Sequence, residues 1–301
     1  MTHSLLAVLI GQAGPIGGAA NHFVSWLLSY GQPLFDAINL FILALAGICE
    51  KVLITPPPWL LALIVAVLGF WRVNGGFAVL SLIGLNLVIF MNLWTPMIST
   101  LALVLAASLL ALLIGLPLGI LAARQRLIWQ ITRPLLDLMQ TMPAFVYLIP
   151  AVMLFSTGAV PSIIATLIFS MPPVVRLTVL GIRQVPNDLM EAGRSFGCSE
   201  LQLLRKVQLP SALPTVMTGV NQTIMLALSM VVIASMIGGG GLGDVVLRGI
   251  QQLNIGLGFE GGMAVVILAV ILDRLTQSLS TPPSETVPER LQDMLNLWRL
   301  G

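Results

Sequence analysis

The chain has 301 residues, of which 57% are hydrophobic and only 9% charged, with a mean hydropathy of +0.99. A soluble domain carries about 25% charged residues, so these values exclude an ordinary soluble fold and imply an integral membrane protein. The net charge is +2, and Cys49 and Cys198 lie in apolar or cytoplasmic contexts far apart in sequence, which gives no support to a disulfide framework.

Residues 1–57 form an amino-terminal extension. Its opening stretch has an apolar run with no basic region before it, which argues against a cleaved signal peptide. The segment 38–49, INLFILALAGIC, is 12 residues long before Glu50 and Lys51. That length suits a helix lying along the membrane rather than crossing it. Two peripheral spans follow within 58–94, at 58–71 and 77–94. Further spans are predicted at 97–122, 137–156, 160–181, 213–237 and 262–280, which makes an all-α, polytopic protein of about seven crossings. Charges are absent from 73–123, 138–175 and 207–243, and each gap exceeds the roughly 20 residues that one helix needs to span.

Cytoplasmic loops near span ends are enriched in Lys and Arg. With seven crossings, all 14 cations except Lys51 and Arg248 fall on one side. This places the carboxyl terminus, including a short tail at 281–301, in the cytoplasm; the amino terminus is then outside, unless segment 38–49 also crosses. Prolines 117, 143, 150, 172 and 173 punctuate the spans, as neighbours in a packed bundle permit. Gly115 and Gly119 form a small-xxx-small pair that lets a neighbouring helix approach.

Between the fifth and sixth spans lies a charged segment, 183–210. Asp188 with Glu191 has the form of a capping box, and Ser199 with Gln202 fits that form directly. Gly197 stands between them, where a left-handed residue would end the first helix. Two short helices joined by a tight turn are predicted. Isolated helices of this length are marginal in water, so Leu189, Met190, Phe196, Leu201, Leu203, Leu204 and Val207 are expected to supply apolar contacts. Ala192 and Gly193 would leave a flat surface for another chain.

The spacing Glu191-Ala192-Gly193, then Gly197, then Val207-Gln208-Leu209-Pro210 resembles the EAA loop of binding-protein-dependent ABC importers. Gly193 replaces an Ala of that pattern and Val207 an Ile. The resemblance implies that Glu191, Ala192, Gly193, Ser195, Phe196, Gly197, Leu209 and Pro210 couple this chain to a separate ATPase. Residues 95–280 resemble the permease subunit of the ProU-type system for glycine betaine and proline. The implied fold is that of a type I importer with a five-helix core. The implied assembly is two copies of the chain, two ABC ATPases that bind ATP and Mg, and an external solute-binding protein.

No Gly-x-x-x-x-Gly-Lys-Ser/Thr motif occurs, so no ATP site of that kind is expected in the chain, and GGGGLGD at 238–244 has no following Lys. It reads as an external turn that could let a docking protein come close. His3 and His22 are the only histidines, and no residue cluster has metal-ligand spacing, so neither a metal, nor an enzyme, nor a nucleic-acid partner is expected. The rival class is an ion-coupled secondary transporter of small zwitterions, which would need ionisable groups inside the bundle. Asp137, Arg176, Asp273 and Arg274 are the nearest, and all fall near predicted cytoplasmic ends, as anchors or local ion pairs. Neutral polar groups lie deeper. Thr141, Tyr147, Asn221, Gln222, Met225 and Ser229 are candidates to line a translocation path, with interhelical hydrogen bonding as the plainer reading.

Overall fold

The computed structural model describes residues 15–280; the expectations for 1–14 and for the tail at 281–301 lie outside the described residues. The described chain is helical throughout. The helices are α1 (Pro15–Ile54), α2 (Pro58–Arg72), α3 (Gly75–Phe90), α4 (Trp94–Arg124), α5 (Arg126–Thr141), α6 (Ala144–Phe155) and α7 (Ala159–Arg183). They continue as α8 (Asn187–Ser195), α9 (Glu200–Leu203), a π turn (Leu204–Gln208), α10 (Leu209–Ser229), α11 (Val231–Ser235), α12 (Gly241–Gln251) and α13 (Ile255–Ser280).

Four helical stretches are long and apolar enough to cross a membrane, Ser29–Ile54, Trp94–Arg124, Ala159–Arg183 and Ile255–Ser278, and α5 with α6 forms a fifth if the bent pair is one span. Helices α2 and α3 are apolar but shorter, at 15 and 16 residues. The polar α10 completes the set of elements for which crossings were predicted.

Three boundaries differ from the sequence reading. The 38–49 segment is part of a continuous helix of 40 residues, about 60 Å long at 1.5 Å per residue. Apolar residues resume upstream of Asp36, so the short helix boundary is not kept. The stretch 137–156 is not one straight span: α5 and α6 meet at 99°. Met142 is extended (ψ 134) because the ring of Pro143 disfavours helical backbone in the residue before it. The 213–237 stretch is interrupted at Met230, and α12 follows as a separate helix.

Helix α7 forms the centre, between α4 and α10. A Cβ on Gly115 would lie 2.6 Å from Val174 and one on Gly119 2.7 Å from Thr178, so the pair is where α4 meets α7 closely. On the other side Gly219 of α10 lies against Pro173, Val174 and Leu177. In membranes such small residues let backbones approach and gain packing that lipid cannot supply.

Helix α1 packs antiparallel to α4. Glu50 near its end accepts a hydrogen bond of 2.9 Å from Ser99 near the start of α4, while Ile42 packs with Ala106, Ala107 and Leu110. The glycine run is tightly turned and packed. Gly241 (φ 71) sits against Thr100, whose hydroxyl accepts the Leu242 N–H at 2.7 Å. Gly239 faces Ser162, and Gly158 donates its N–H to Ile237 at 2.8 Å. These glycines serve the close approach of the chain's own helices.

Candidate coupling surface and transport path

Helix α8 starts two residues earlier than its capping box requires. Its N-cap is Pro186, with no side-chain cap, so Asp188 falls in the first turn, where its charge complements the helix dipole instead of capping. The second box is present: Ser199 accepts from the Gln202 N–H at 3.4 Å and the Gln202 side chain accepts from the Ser199 N–H at 2.9 Å. Between them Gly197 (φ 76) closes α8 in a Schellman turn, with Gly197 N–H donating to Arg194 and Cys198 N–H to Gly193.

Helix α9 is not an independent short helix. It runs through the π turn straight into α10, so the coupling segment is the foot of a transmembrane helix. Pro210 lacks an N–H to donate, and π turns accompany such interruptions. Leu203 and Leu204 are buried, and Leu204 packs with Ile182, Ala212 and Val216. Gly193 points inward rather than outward: a Cβ there would lie 2.6 Å from Leu203. An alanine there, as in the related pattern, would require the Leu203 side chain to shift.

The outward surface is made by Glu191, Ala192, Ser195, Phe196 and Gly197, all exposed, with Leu209 half-buried and Pro210 exposed. Phe196 is 88% exposed and Leu189 and Leu201 also stand out, so these three do not hold the segment together as expected. Glu200 lies 3.9 Å from Arg124 and 3.8 Å from Arg194, linking the end of α4 to α8. Exposed pairs of this kind are worth about 0–1 kcal/mol, so they orient more than they stabilise. Arg183 donates to the carbonyl of Ala122 at 2.8 Å and stacks over Trp129 at 5.4 Å.

The path candidates divide into groups. Gln222 and Ser229, two turns apart on α10, are exposed on one face with Thr218, and Met225 is half-buried beside them. Thr141 is exposed at the end of α5. Asn221, turned about 100° from Gln222, instead donates to Asp273 of α13 at 3.0 Å and accepts from Thr276. Tyr147 is 6% exposed, and its hydroxyl has no protein partner among the described residues. It borders a cavity of about 380 Å³ lined with Met139, Met142 and Met171. Thr218 was missed in the sequence, although its spacing of four from Gln222 placed it on the same stripe. Asp137 and Arg176 form the ion pair expected of them, at 2.5 Å. No group of three metal-ligating side chains exists among the described residues.

A family model described as the binding-protein-dependent transport system inner membrane component matches residues 115–280, which include α8 to α10. This chain belongs to that family. It is 51% identical over 267 residues to the glycine betaine/proline betaine transport system permease protein ProW of Escherichia coli K12, spanning 88% of this chain and 75% of that relative. It is 46% identical to the glycine betaine transport system permease protein OpuAB of Bacillus subtilis, spanning 88% and 94%. The chain is thus a ProU-type permease of the inner membrane. An inward-facing structure of the MetNI methionine ABC transporter shares the fold, with TM-score 0.56 and 21% identity over 60% of this chain and 91% of that one.

Proposed function

We propose that this chain is the transmembrane subunit of an ATP-driven importer of glycine betaine, proline or related osmoprotectants. Two copies form one path, and two separate ABC ATPases hold ATP and Mg and dock on Glu191, Ala192 and Phe196. An external solute-binding protein delivers the solute to the loops near 94–97, 157–160 and 238–261. The carrying observation is the exposed face of α8 joined to a helix that is continuous with α10. Movement of the docked ATPases tilts that helix, whose polar stripe of Thr218, Gln222 and Ser229 then faces the path. A rigid-body shift between two packings supplies alternating access.

The antiparallel packing of α1 on α4 favours a crossing by α1, which brings the amino terminus to the same cytoplasmic side as the carboxyl terminus. Ion coupling is the rival reading, and its best group is Asp273. That carboxylate already accepts from Asn221 and Gln277, the arrangement of a structural clamp. Liposomes holding the permease, its ATPase and the binding protein should accumulate labelled glycine betaine only with ATP inside the ATPase compartment. Accumulation by the permease alone under a proton or sodium gradient would overturn the importer in favour of the secondary carrier.

A further inference from the structure

One groove is used by neither the coupling surface nor the polar stripe of α10. It lies between α5 and α7, has a volume of about 410 Å³ and contains Trp129, Arg133, Asp137, Arg176, Leu180 and Arg183. Its charges do not cancel. Asp137 is committed to Arg176, and Arg183 is turned to the end of α4 and to Trp129. Arg133 is exposed and has no hydrogen bond or ion pair among the described residues. Three guanidinium groups against one carboxylate leave the groove basic.

The depth of the groove is informative. Arg176 lies seven residues before the end of α7, about 10 Å at 1.5 Å per residue. That end leads directly into the coupling segment. If the segment faces the cytoplasm, as the proposed function has it, the groove sits at headgroup level of the inner leaflet. Charge is costly at greater depth unless it reaches the interface or finds a partner. The remaining walls are apolar: Leu177, Val179 and Leu180, with Leu180 43% exposed. Trp129 is an aromatic of the kind enriched at that interface. A basic end beside an apolar wall fits an anionic amphiphile, and basic pockets between helices on the cytoplasmic side hold acidic lipid headgroups.

We propose that the α5–α7 groove binds the phosphate of an anionic phospholipid, with Arg133 as its free guanidinium donor and Leu177 and Leu180 against the first part of an acyl chain. Planar guanidinium groups suit phosphate because they donate two parallel hydrogen bonds. The lipid would complete the charge balance that Asp137 leaves unfinished, and would fix α5 beside α7.

The test uses the full chain in detergent, titrated with phosphatidylglycerol or phosphatidylcholine brominated on the acyl chains, with Trp129→Phe identifying the Trp129 part of the fluorescence. Phosphatidylglycerol should quench Trp129 at concentrations about tenfold lower than phosphatidylcholine, the difference expected from a charge-assisted hydrogen bond. Arg133→Gln should remove that preference, while Arg72→Gln, which alters a cation on another helix, should retain it. Equal quenching by the two lipids, no quenching by either, or an unaltered preference in Arg133→Gln would overturn the proposal. Two competitors on the wild-type chain need no variant. Displacement by glycerol 3-phosphate as readily as by the lipid would assign a soluble anion and overturn the lipid site, and displacement by glycine betaine would assign the groove to the transport path. Labelling of Cys198 from the outside would break the topology reading alone, since the lipid titration is made without a membrane.

Discussion

Helices α1 and α7 are nearly equal in apolarity and opposite in environment. Their spanning windows have mean hydropathies of 2.0 and 1.9, yet 6% of the first and 61% of the second is buried inside the chain. Hydropathy reports the solvent a helix tolerates, not the neighbour it meets, because lipid tails are as apolar as leucine. What separates the two is side-chain size and polarity. Helix α7 buries Ser162, Thr166, Ser170, Pro172, Pro173, Thr178 and Gly181, which permit close contact. Helix α1 presents Leu34, Leu40, Phe41, Ile48 and Val52 outward.

The strongest way to break this contrast is Gly219→Leu at the face of α10 that meets α7. The Cβ alone would come 3.0 Å from Leu177 and 3.1 Å from the Val174 backbone, so the yield of monodisperse, folded protein should collapse. Leu40→Ala on the open face of α1 should leave that yield unchanged. A wild-type yield from Gly219→Leu would remove the distinction between the two helices.

Glu191→Lys sharpens the contrast from the side of function, because Glu191 is exposed and packs against nothing in the core. Folding and membrane insertion should be normal, while ATP-driven uptake falls by about tenfold or more, as loss of a charge-assisted contact and introduction of repulsion predict. Uptake at the wild-type rate in reconstituted liposomes would take Glu191 out of the coupling surface. The smallest effect belongs to α1. Phe35 meets Phe155 edge-on at 5.6 Å, and Phe35→Ala should cost about 1 kcal/mol, read as a slight fall in the melting temperature. A loss as large as that of Gly219→Leu would show that α1 is a core helix after all.

Much of the coupling segment was legible because its signals are local. The Ser199–Gln202 box needs only a spacing of three, and Gly197 only a left-handed turn. Asp188 misled because the same spacing says nothing about which residue begins the helix, and Pro186 took the N-cap position. The inward turn of Gly193 was hidden for a different reason. Its partner Leu203 is ten residues away and belongs to the next helix, so the contact exists only when α8 folds back on α9. Asn221 and Gln222 are both polar and adjacent in sequence, and periodicity alone could not say which of them met Asp273.

Two Met-Pro pairs in this chain separate what sequence and tertiary structure each decided. The sequence by itself determined that the protein is a helical membrane protein and that a capped segment interrupts the spans. It also determined that the backbone is weakened at Met142-Pro143 and at Met171-Pro172, where a hydrogen bond is lost and the preceding residue is pushed from helical geometry. At 143 the helix bends by 99°, and Pro143 is exposed. At 172 the helix continues through two prolines, both buried, with Met171 facing Gly115 of α4 and Pro173 backed by Gly219 of α10. Close packing on both sides accompanies the straight second site, whereas Pro143 at the bend is exposed. The local cost is a property of the dipeptide, whereas its outcome depends on helices more than 40 residues away.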